Sequence, residues 1–248
     1  MFAVTMVRDE HDVVAHVLRH LLGEGVDHII VADNRSADST AQIVADVGRN
    51  SPVPPVRDSN RAYFRTEKMT RLARAAFLRG ASWVIPFDAD EIWTAPGTGL
   101  AQFLRSSQDD VIFARIFDHV PTPTDRAPAA EPNPFIRLQH RTVEPTGLAK
   151  VAFRASLLAR LHMGNHDVDR LGSRGEGLEI RHFPYRTAEQ YVSKMRAGSV
   201  AIAATDLPPI AGHHWREAAR ASDGELCARW EAWRRDRELV VDPAAFRG

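Results

Sequence analysis

The amino-acid sequence predicts an α/β protein with a mixed, mainly parallel sheet flanked by helices and a helical extension at the C-terminal end. Two observations lead to this fold class. Short apolar runs of the buried-strand type alternate with segments of helical periodicity through residues 1–95, and that alternation is typical of parallel strand–helix–strand units. Polar clusters come directly after several of the apolar runs, as expected where buried strands end at the edge of an open sheet.

The first half of the chain is expected to supply the parallel part of the sheet. Short apolar runs predict strands at residues 3–7, 28–32, 53–56 and 83–87. Apolar residues at helical spacing predict helices at residues 13–22, 41–47 and 65–79. Gly23 and Gly80 follow the first and third of these runs and favour helix ends there.

The second half of the chain is less regular. Apolar runs or alternation predict strands at residues 110–117, 150–154, 158–162 and 178–183. Helices are predicted at residues 100–104, from the Thr187–Gln190 capping box to Gly198, and at 224–239. In the last of these, Leu226, Trp230 and Trp233 form an apolar stripe that indicates core packing. Residues 118–135 hold five prolines and are expected to form a long surface loop.

Length and composition limit the function classes. The chain has 248 residues, zero formal net charge and one cysteine, Cys227. This length suits one large domain, or a domain with a small appendage. A neutral chain gives no reason to expect nucleic acid or an anionic membrane surface as a partner, and a single cysteine excludes an intramolecular disulfide. No signal peptide or membrane span is evident in the sequence, so we expect a cytoplasmic protein.

The most informative stretch is residues 83–93, where an apolar run ends in three carboxylates, Asp88, Asp90 and Glu91. Unpaired charge inside a core is costly, so the acids are expected where the strand ends and the sheet opens. Alternate residues of an extended chain face the same way, which predicts that Asp88 and Asp90 face one ligand while Glu91 points elsewhere. Two adjacent carboxylates suit Mg²⁺ or Mn²⁺. A solvated acidic turn, or an acidic cap of the next helix, would give the same pattern.

A second polar cluster begins at Asp33, directly after the second predicted strand, and continues through turn-forming residues to Thr40. Asp33 holds the same place relative to its strand as Asp88, so both are expected at one edge of the sheet. The alternative is an Asx-turn residue. The sequence has no glycine-rich phosphate-binding motif. An acidic metal site beside a parallel α/β unit therefore suggests a nucleoside diphosphate whose phosphates are held largely through the metal.

Four segments carry a resemblance to a known family. They are Val7 through Glu10, Asp33 through Thr40, Trp83 through Glu91 with its Asp-Ala-Asp pattern (DxD), and His182 through Gly198. With these segments the chain resembles family 2 glycosyltransferases of the GT-A fold, in their compact soluble branch. The resemblance implies a GT-A catalytic domain at residues 1–200, with a nucleotide-binding half at 1–95 and an acceptor-binding half at 96–200. Residues 201–248 would form the helical extension.

The resemblance implies transfer of a sugar from a nucleotide-diphosphate sugar to an acceptor hydroxyl. A UDP-sugar is the expected donor, and the acceptor is a glycan, a lipid-linked molecule or a small molecule. It implies metal dependence on Mn²⁺ or Mg²⁺ and inversion of the anomeric configuration. The chain lacks the QxxRW pattern and the membrane helices of processive polysaccharide synthases, which favours a single, non-processive transfer.

The resemblance also implies roles for individual residues on the donor side. Thr5 and Arg8 would line the nucleoside pocket, and the Asp33 carboxylate would accept the ring N–H of uracil. Asp88 would lie near the ribose. The metal that bridges the diphosphate would be held by Asp90 and His182. The other residues expected to bind the nucleotide sugar are Glu10, Arg65, Ala89 and Lys194.

The catalytic base is expected from the C-terminal half, because the metal acids already serve the donor side. Two acidic turns are available there, one at Asp118 and one at residues 165–169. We predict Asp167 as the base, with His166 beside it contacting acceptor or phosphate, and Asp118 as the second choice. A tight turn shaped by Asn165 and Asp167 is the structural alternative.

Three other classes of protein compete with this interpretation. A nucleotidyltransferase on a similar sheet would need a glycine-rich basic loop after the first strand, and residues 8–10 contain no glycine. A metal-dependent hydrolase could use clustered acids, but the turn at Asp33 and the His182 segment argue against it. A non-catalytic nucleotide-sugar-binding module would tolerate loss of the metal acids, and all of them are present.

Overall fold

The structure is a computed structural model that describes residues 1–58, 64–208, 210–235 and 237–242. The strands are β1 (Phe2–Val7), β2 (His28–Asp33), β3 (Pro55–Arg57), β4 (Trp83–Pro86), β5 (Glu91–Thr94), β6 (Val111–Asp118), β7 (His140–Thr142), β8 (Ala149–Arg154), β9 (Arg160–Leu161), β10 (Val168–Asp169), β11 (Arg174–His182) and β12 (Leu239–Val241). The helices are α1 (Val14–Gly23), α2 (Thr40–Gly48), α3 (Arg65–Leu78), α4 (Leu100–Ser106), α5 (Pro134–Arg137), α6 (Ala188–Ala203), α7 (His213–Ala218) and α8 (Asp223–Arg235), with a 3-10 turn at Met163–Asn165. Within these ranges no helix combines the length and apolar character needed to cross a bilayer.

Eight strands form one sheet in the order β3-β2-β1-β4-β8-β6-β11-β5. β1 is parallel to β2 and β4, β2 is parallel to β3, and β6 is parallel to β11. β8 runs antiparallel to both of its neighbours, and β5 runs antiparallel to β11. Six of the eight strands therefore point in one direction, which confirms the mixed, mainly parallel sheet.

This topology decides which residues can meet. The carboxyl ends of β1, β2, β4, β6 and β11 all lie at one edge of the sheet, because these strands run in the same direction. The reversed strands β5 and β8 bring their amino ends to that same edge. Side chains from seven separate places in the sequence therefore converge there, beside the switch in strand order between β1 and β4.

The core lies on both faces of the sheet. β1 alternates between the faces, with Ala3 and Val7 in one apolar cluster and Phe2 and Val4 in the other. The first cluster includes the buried side of α1, and the second includes the buried side of α3. The helical spacing of apolar residues in both segments is the cause of this packing, as the sequence predicted.

The C-terminal helices α6, α7 and α8 share a third apolar cluster. Leu226 and Trp230 are buried in it, and Trp233 packs against it, which confirms that the stripe on α8 serves core packing. Beyond α8, strand β12 pairs with β7 and so joins this end of the chain to the 140–142 segment. α7 was not predicted from the sequence.

Gly198 does not end its helix, contrary to the prediction. α6 begins after Thr187, whose side chain accepts from the N–H of Gln190, and it continues through Gly198 to Ala203. A Cβ atom at Gly198 would clash with the indole ring of Trp215. The glycine therefore allows α7 to approach α6 closely, and it does not act as a helix stop. The strand predicted at 158–162 is also shorter, since only Arg160–Leu161 pair, with β10.

Candidate active site

The carboxyl end of β11 places His182 between two acidic residues. In strand register, His182 lies opposite Asp118 of β6 on one side and Glu91 of β5 on the other. Nδ1 of His182 is 2.8 Å from Oδ1 of Asp118, and its Nε2 is 3.7 Å from Oδ2 of Asp90. Asp90 and Glu91 each offer a carboxylate oxygen, and His182 offers a ring nitrogen. These three atoms all lie within 4.8 Å of one another. We call these three residues the metal group.

The metal group has donors that fit the expected ion. Two carboxylates supply the hard oxygen ligands that Mn²⁺ and Mg²⁺ prefer, and an imidazole is acceptable to Mn²⁺. When Nδ1–H of His182 donates to Asp118, the Nε2 lone pair is directed to the side of Asp90. An outer carboxylate that fixes a histidine in this way is the usual support of a metal-binding imidazole. The residues present therefore fit Mn²⁺, with Asp118 as the support of His182.

The charges around Asp90 keep it ionised. Asp90 is only 3% exposed, and its Oδ2 accepts from Nζ of Lys194 at 2.5 Å. Burial acts to raise the pKa of Asp90, but Lys194 and His182 hold that pKa well below its ordinary value. Burial lowers the pKa of His182, but Asp90 and Asp118 outweigh it and leave that pKa above its usual value. Because metal binding at Nε2 requires the neutral imidazole, it would compete with protonation of His182.

Asp88 and Glu91 are held by basic side chains from two other elements. Asp88 forms ion pairs with Arg65 at the start of α3 and with Nζ of Lys150 at 2.6 Å. Lys150 also pairs with Glu91, and burial lowers its pKa although Glu91 opposes this. Oε2 of Glu91 accepts from the backbone N–H of Asp88 at 3.0 Å. Four charged groups thus form one partly buried network around the turn.

The predicted directions of the acids are wrong in one respect. Glu91, expected to point elsewhere, belongs to the metal group with Asp90, whereas Asp88 is occupied by two cations. The reason is local. β4 ends at Pro86 and the chain turns at Ala89 and Asp90 before β5 begins, so the alternation of an extended strand does not apply across these residues.

The loops after β1 and β2 are tied together at the neighbouring part of the edge. Val7 lies opposite Asp33 in register. The backbone N–H of Asp9 donates to Ser36, and that of Glu10 donates to Thr40. These bonds fix the positions of both predicted donor-binding loops. The structure therefore brings the Asp33 loop and the residues after β1 together, as the sequence predicted.

The side chains predicted for the nucleoside pocket are partly buried at this place. Oγ1 of Thr5 is fully buried with no hydrogen-bond partner among the described residues. Nε and Nη1 of Arg8 are buried and have no hydrogen-bond acceptor among the described residues, although Nε lies 3.4 Å from Oδ2 of Asp9. Within the described part of the chain, the Asp33 side chain accepts one long bond, 3.4 Å, from the N–H of Ser36. These donors and acceptors have unused capacity for a ligand.

Glu10 connects the donor loops to α6. Its Oε2 accepts from Arg186 at 2.8 Å, and its Oε1 lies 3.8 Å from Nζ of Lys194. Arg186 is buried, and it also binds Asp12 at 2.7 Å. Burial raises the pKa of Glu10 although Lys194 and Arg186 lower it. Lys194 is thus placed between Glu10 and Asp90, at the centre of the predicted donor site.

The predicted catalytic base, Asp167, and its neighbour His166 make no described contact with the metal group. Asp167 accepts from Nη1 of Arg174 at 2.7 Å, and its described contacts include no residue of the metal group. His166 is nearer to the charged network. Its Nδ1 is 2.7 Å from the carbonyl oxygen of Ala149, next to Lys150, and burial lowers its pKa. Asp118, the second choice for the base, is hydrogen-bonded to His182.

Two charged residues of the site were missed by sequence reasoning. Lys150 was treated only as the start of a strand, although a cation at the head of a buried apolar strand is unusual enough to suggest a charged partner. Arg186 was quoted only within a longer segment. Its partner Asp12 is 174 residues away in the sequence, so no local pattern could have shown their pairing.

Comparison with known proteins found similarity to solved structures only. No protein-family model matches the chain, and no curated protein matches it significantly. S. aureus TarS 1-349 in complex with UDP is 14% identical with a TM-score of 0.47, over 93% of this chain and 70% of that one. The same TarS 1-349 in complex with UDP-GlcNAc is 13% identical with a TM-score of 0.48, over 93% and 71%.

A third similar structure comes from another organism. The mannosyltransferase PcManGT from Pyrobaculum calidifontis, in complex with GDP-Man and Mn²⁺, is 16% identical with a TM-score of 0.46, over 93% of this chain and 72% of that one. All three TM-scores lie below 0.5. What those proteins bind or transfer therefore does not by itself extend to this chain, whose function has to follow from its own residues.

Proposed function

We propose that this chain is a glycosyltransferase that moves a sugar from a nucleotide-diphosphate sugar to an acceptor hydroxyl. A UDP-sugar is the favoured donor. The observation that carries the proposal is the metal group, Asp90, Glu91 and His182, at the carboxyl edge of the sheet. It stands beside two buried or half-buried ammonium groups, those of Lys150 and Lys194. Acids for a divalent cation next to cations for an anion are the two halves of a metal–diphosphate site.

The donor would exchange contacts with the charged network. Arg65, Lys150 and Lys194 now bind carboxylates, and each can donate to a phosphate oxygen when a diphosphate enters. A bound Mn²⁺ or Mg²⁺ would neutralise the negative charge that develops on the departing diphosphate. Asp90 and His182 would hold that ion, Glu91 would join them, and Ala89 would keep the turn close to the phosphates.

The nucleoside end of the donor would lie against the two joined loops. In this proposal Asp33 accepts the ring N–H of uracil, while Thr5 and Arg8 line the pocket around the base. Asp88 lies near the ribose. The unused hydrogen-bonding capacity of Thr5, Arg8 and Asp33 supports this arrangement, because buried polar groups are normally paired.

On the acceptor side, the attacking hydroxyl must lose its proton as the new bond to the sugar forms. We propose Asp167 as the base, with His166 in contact with the acceptor or a phosphate. Asp118 is the second choice, and it takes this role if Asp167→Asn keeps a near-normal kcat. Direct attack by the hydroxyl inverts the anomeric configuration, and each transfer is a single event in this proposal.

Calorimetry with UDP and GDP, each with and without Mn²⁺, tests the proposed function. We expect UDP to bind more tightly than GDP, and the binding of UDP to weaken strongly when EDTA removes the metal. A matched titration with bare pyrophosphate and Mn²⁺ separates the contribution of the base from that of the phosphates. Absence of binding by every one of these nucleotides in Mn²⁺ would overturn the proposal.

A further inference from the structure

A cavity of about 260 Å³ lies between the proline-rich segment and the start of β7. Its charged or titratable lining residues are Asp125, Arg126, Arg137 and His140. The volume equals that of roughly nine water molecules at about 30 Å³ each, which is enough for a small anionic group with part of the molecule that carries it. None of these residues belongs to the donor site described above.

Among the described residues, the buried arginine of this cavity has no hydrogen-bond or ion-pair partner. Arg137 is 8% exposed, and its Nε is buried without a hydrogen-bond acceptor. Its guanidinium makes no hydrogen bond, and no ion pair within 4 Å, with any described residue. Burial lowers the pKa of Arg137, against the opposing effect of Asp125 and Asp12. Buried charge is normally paired because leaving it unpaired is costly. Asp125, Asp12 and Glu131 stabilise this guanidinium from a distance, but within the described chain a directly bonded anion is missing.

The carboxylate in the cavity wall does not supply that anion. Oδ2 of Asp125 accepts from the backbone N–H of Thr122 at 2.5 Å, and its Oδ1 is 3.7 Å from Nδ1 of His140. Asp125 is thus committed to its own loop and to His140. The lining carries the guanidiniums of Arg126 and Arg137 against this one carboxylate, which leaves it net positive.

His119 connects the segment that holds Arg137 to the end of β11. This residue follows Asp118, the support of His182, and its ring stacks on Phe183 with the centroids 4.3 Å apart. Nδ1 of His119 is 2.7 Å from the carbonyl oxygen of Leu138, the neighbour of Arg137. His119, the residue after the end of β6, therefore contacts both the residue next to Arg137 and the residue next to His182.

We propose that this cavity binds an anionic group of the acceptor, a phosphate or a carboxylate, and that Arg137 is the residue that pairs with it. The inference rests on the proposed function, because it assigns the class of acceptor to the same reaction. A guanidinium can donate two parallel hydrogen bonds to either oxyanion. The acceptor hydroxyl would then be held near the sugar by a charge that the donor site does not use.

Calorimetry with three related probes tests the inference: glucose 6-phosphate, glucuronate and neutral glucose. We expect at least one of the anions to bind the wild-type protein more tightly than glucose. Arg137→Gln should weaken that binding by about tenfold or more, the effect of losing a charged hydrogen bond. Arg79→Gln is the matched control, since Arg79 is exposed at the end of α3 and should leave the affinity unchanged. Arg126→Gln, at an exposed lining residue, is a second variant for the case that Arg137→Gln does not fold. It should also weaken anion binding.

The outcomes separate this inference from the proposed function. A preference for glucose 6-phosphate assigns a phosphate, and a preference for glucuronate assigns a carboxylate. Equal binding of all three probes, or anion binding that Arg137→Gln and Arg126→Gln leave intact, overturns the inference. UDP binding in Mn²⁺, measured on the same samples, should be unaffected by Arg137→Gln. If the wild-type protein itself does not bind UDP in Mn²⁺, the result counts against the proposed function instead.

Discussion

Replacing Lys150 by methionine tests whether paired buried charge holds the acidic turn together. Lys150 is 4% exposed, and its Nζ is 2.6 Å from Oδ2 of Asp88 and in contact with Oε1 of Glu91. At 2.6 Å and an effective dielectric constant of about 20, the gross attraction to Asp88 is about 6 kcal/mol. Desolvation of the charges cancels part of it, and removing one partner of a buried pair typically costs about 3–5 kcal/mol.

We therefore expect Lys150→Met to lower the free energy of unfolding by about 3–5 kcal/mol, because Asp88 keeps Arg65 but Glu91 loses its cation. Methionine retains the apolar stem of lysine, so the loss measures charge and not volume. Urea unfolding followed by circular dichroism, at pH 7 with EDTA, gives this value. The same experiment on Glu91→Gln and on the double variant completes a double-mutant cycle.

The cycle has a defined expectation. In Glu91→Gln the amide oxygen can still accept from the N–H of Asp88 and from the indole N–H of Trp93, as Glu91 does now. The double variant should therefore lose less stability than the two single variants together, by about 1–3 kcal/mol. Additive losses, or a cost of Lys150→Met below about 1 kcal/mol, as for an exposed pair, would refute the reasoning.

Three further predictions concern the donor base, the catalytic base and the packing of α6. Asp33→Ala should weaken UDP binding by about 1.5–3 kcal/mol in calorimetry, and an equal loss for bare pyrophosphate would contradict a base-reading role. Asp167→Asn should lower kcat by roughly 10²–10⁴ with donor binding intact, whereas a near-normal kcat would transfer the role to Asp118. Gly198→Ala should destabilise the protein by about 1–3 kcal/mol because the added methyl group meets an indole ring. Gly224→Ala, where a Cβ meets nothing within 4 Å, is its control in thermal unfolding and should be neutral or stabilising.

Much of the fold could be predicted because its signals are local. Apolar runs marked the parallel strands β1, β2 and β4, and helical spacing marked α1 and α3. Polar residues directly after such runs are expected at the end of a strand, so the edge position of Asp33 and Asp90 followed from the strands alone, although Asp90 is buried there by its charged partners. The common direction of the strands then brings those residues to one side of the sheet.

The details of the site could not be predicted because they depend on non-local contacts or on a turn. The direction of Glu91 follows from the turn at Ala89 and Asp90, where strand alternation fails. The pairing of Lys150 with Asp88 spans 62 residues, and nothing in either segment specifies it. Gly198 resembled a helix stop, yet its role is set by α7, a neighbour that the local sequence does not reveal.

The central claim is that Asp90 holds a divalent cation together with the donor diphosphate. Electron paramagnetic resonance of Mn²⁺, titrated with protein in the presence and absence of UDP, measures this directly. We predict that UDP increases the fraction of bound Mn²⁺ in the wild-type protein and that Asp90→Ala abolishes this increase. Asp46→Ala, which removes an exposed carboxylate from α2, should behave as the wild type. Mn²⁺ binding that survives in Asp90→Ala, or UDP binding that is unchanged in EDTA, would contradict the account.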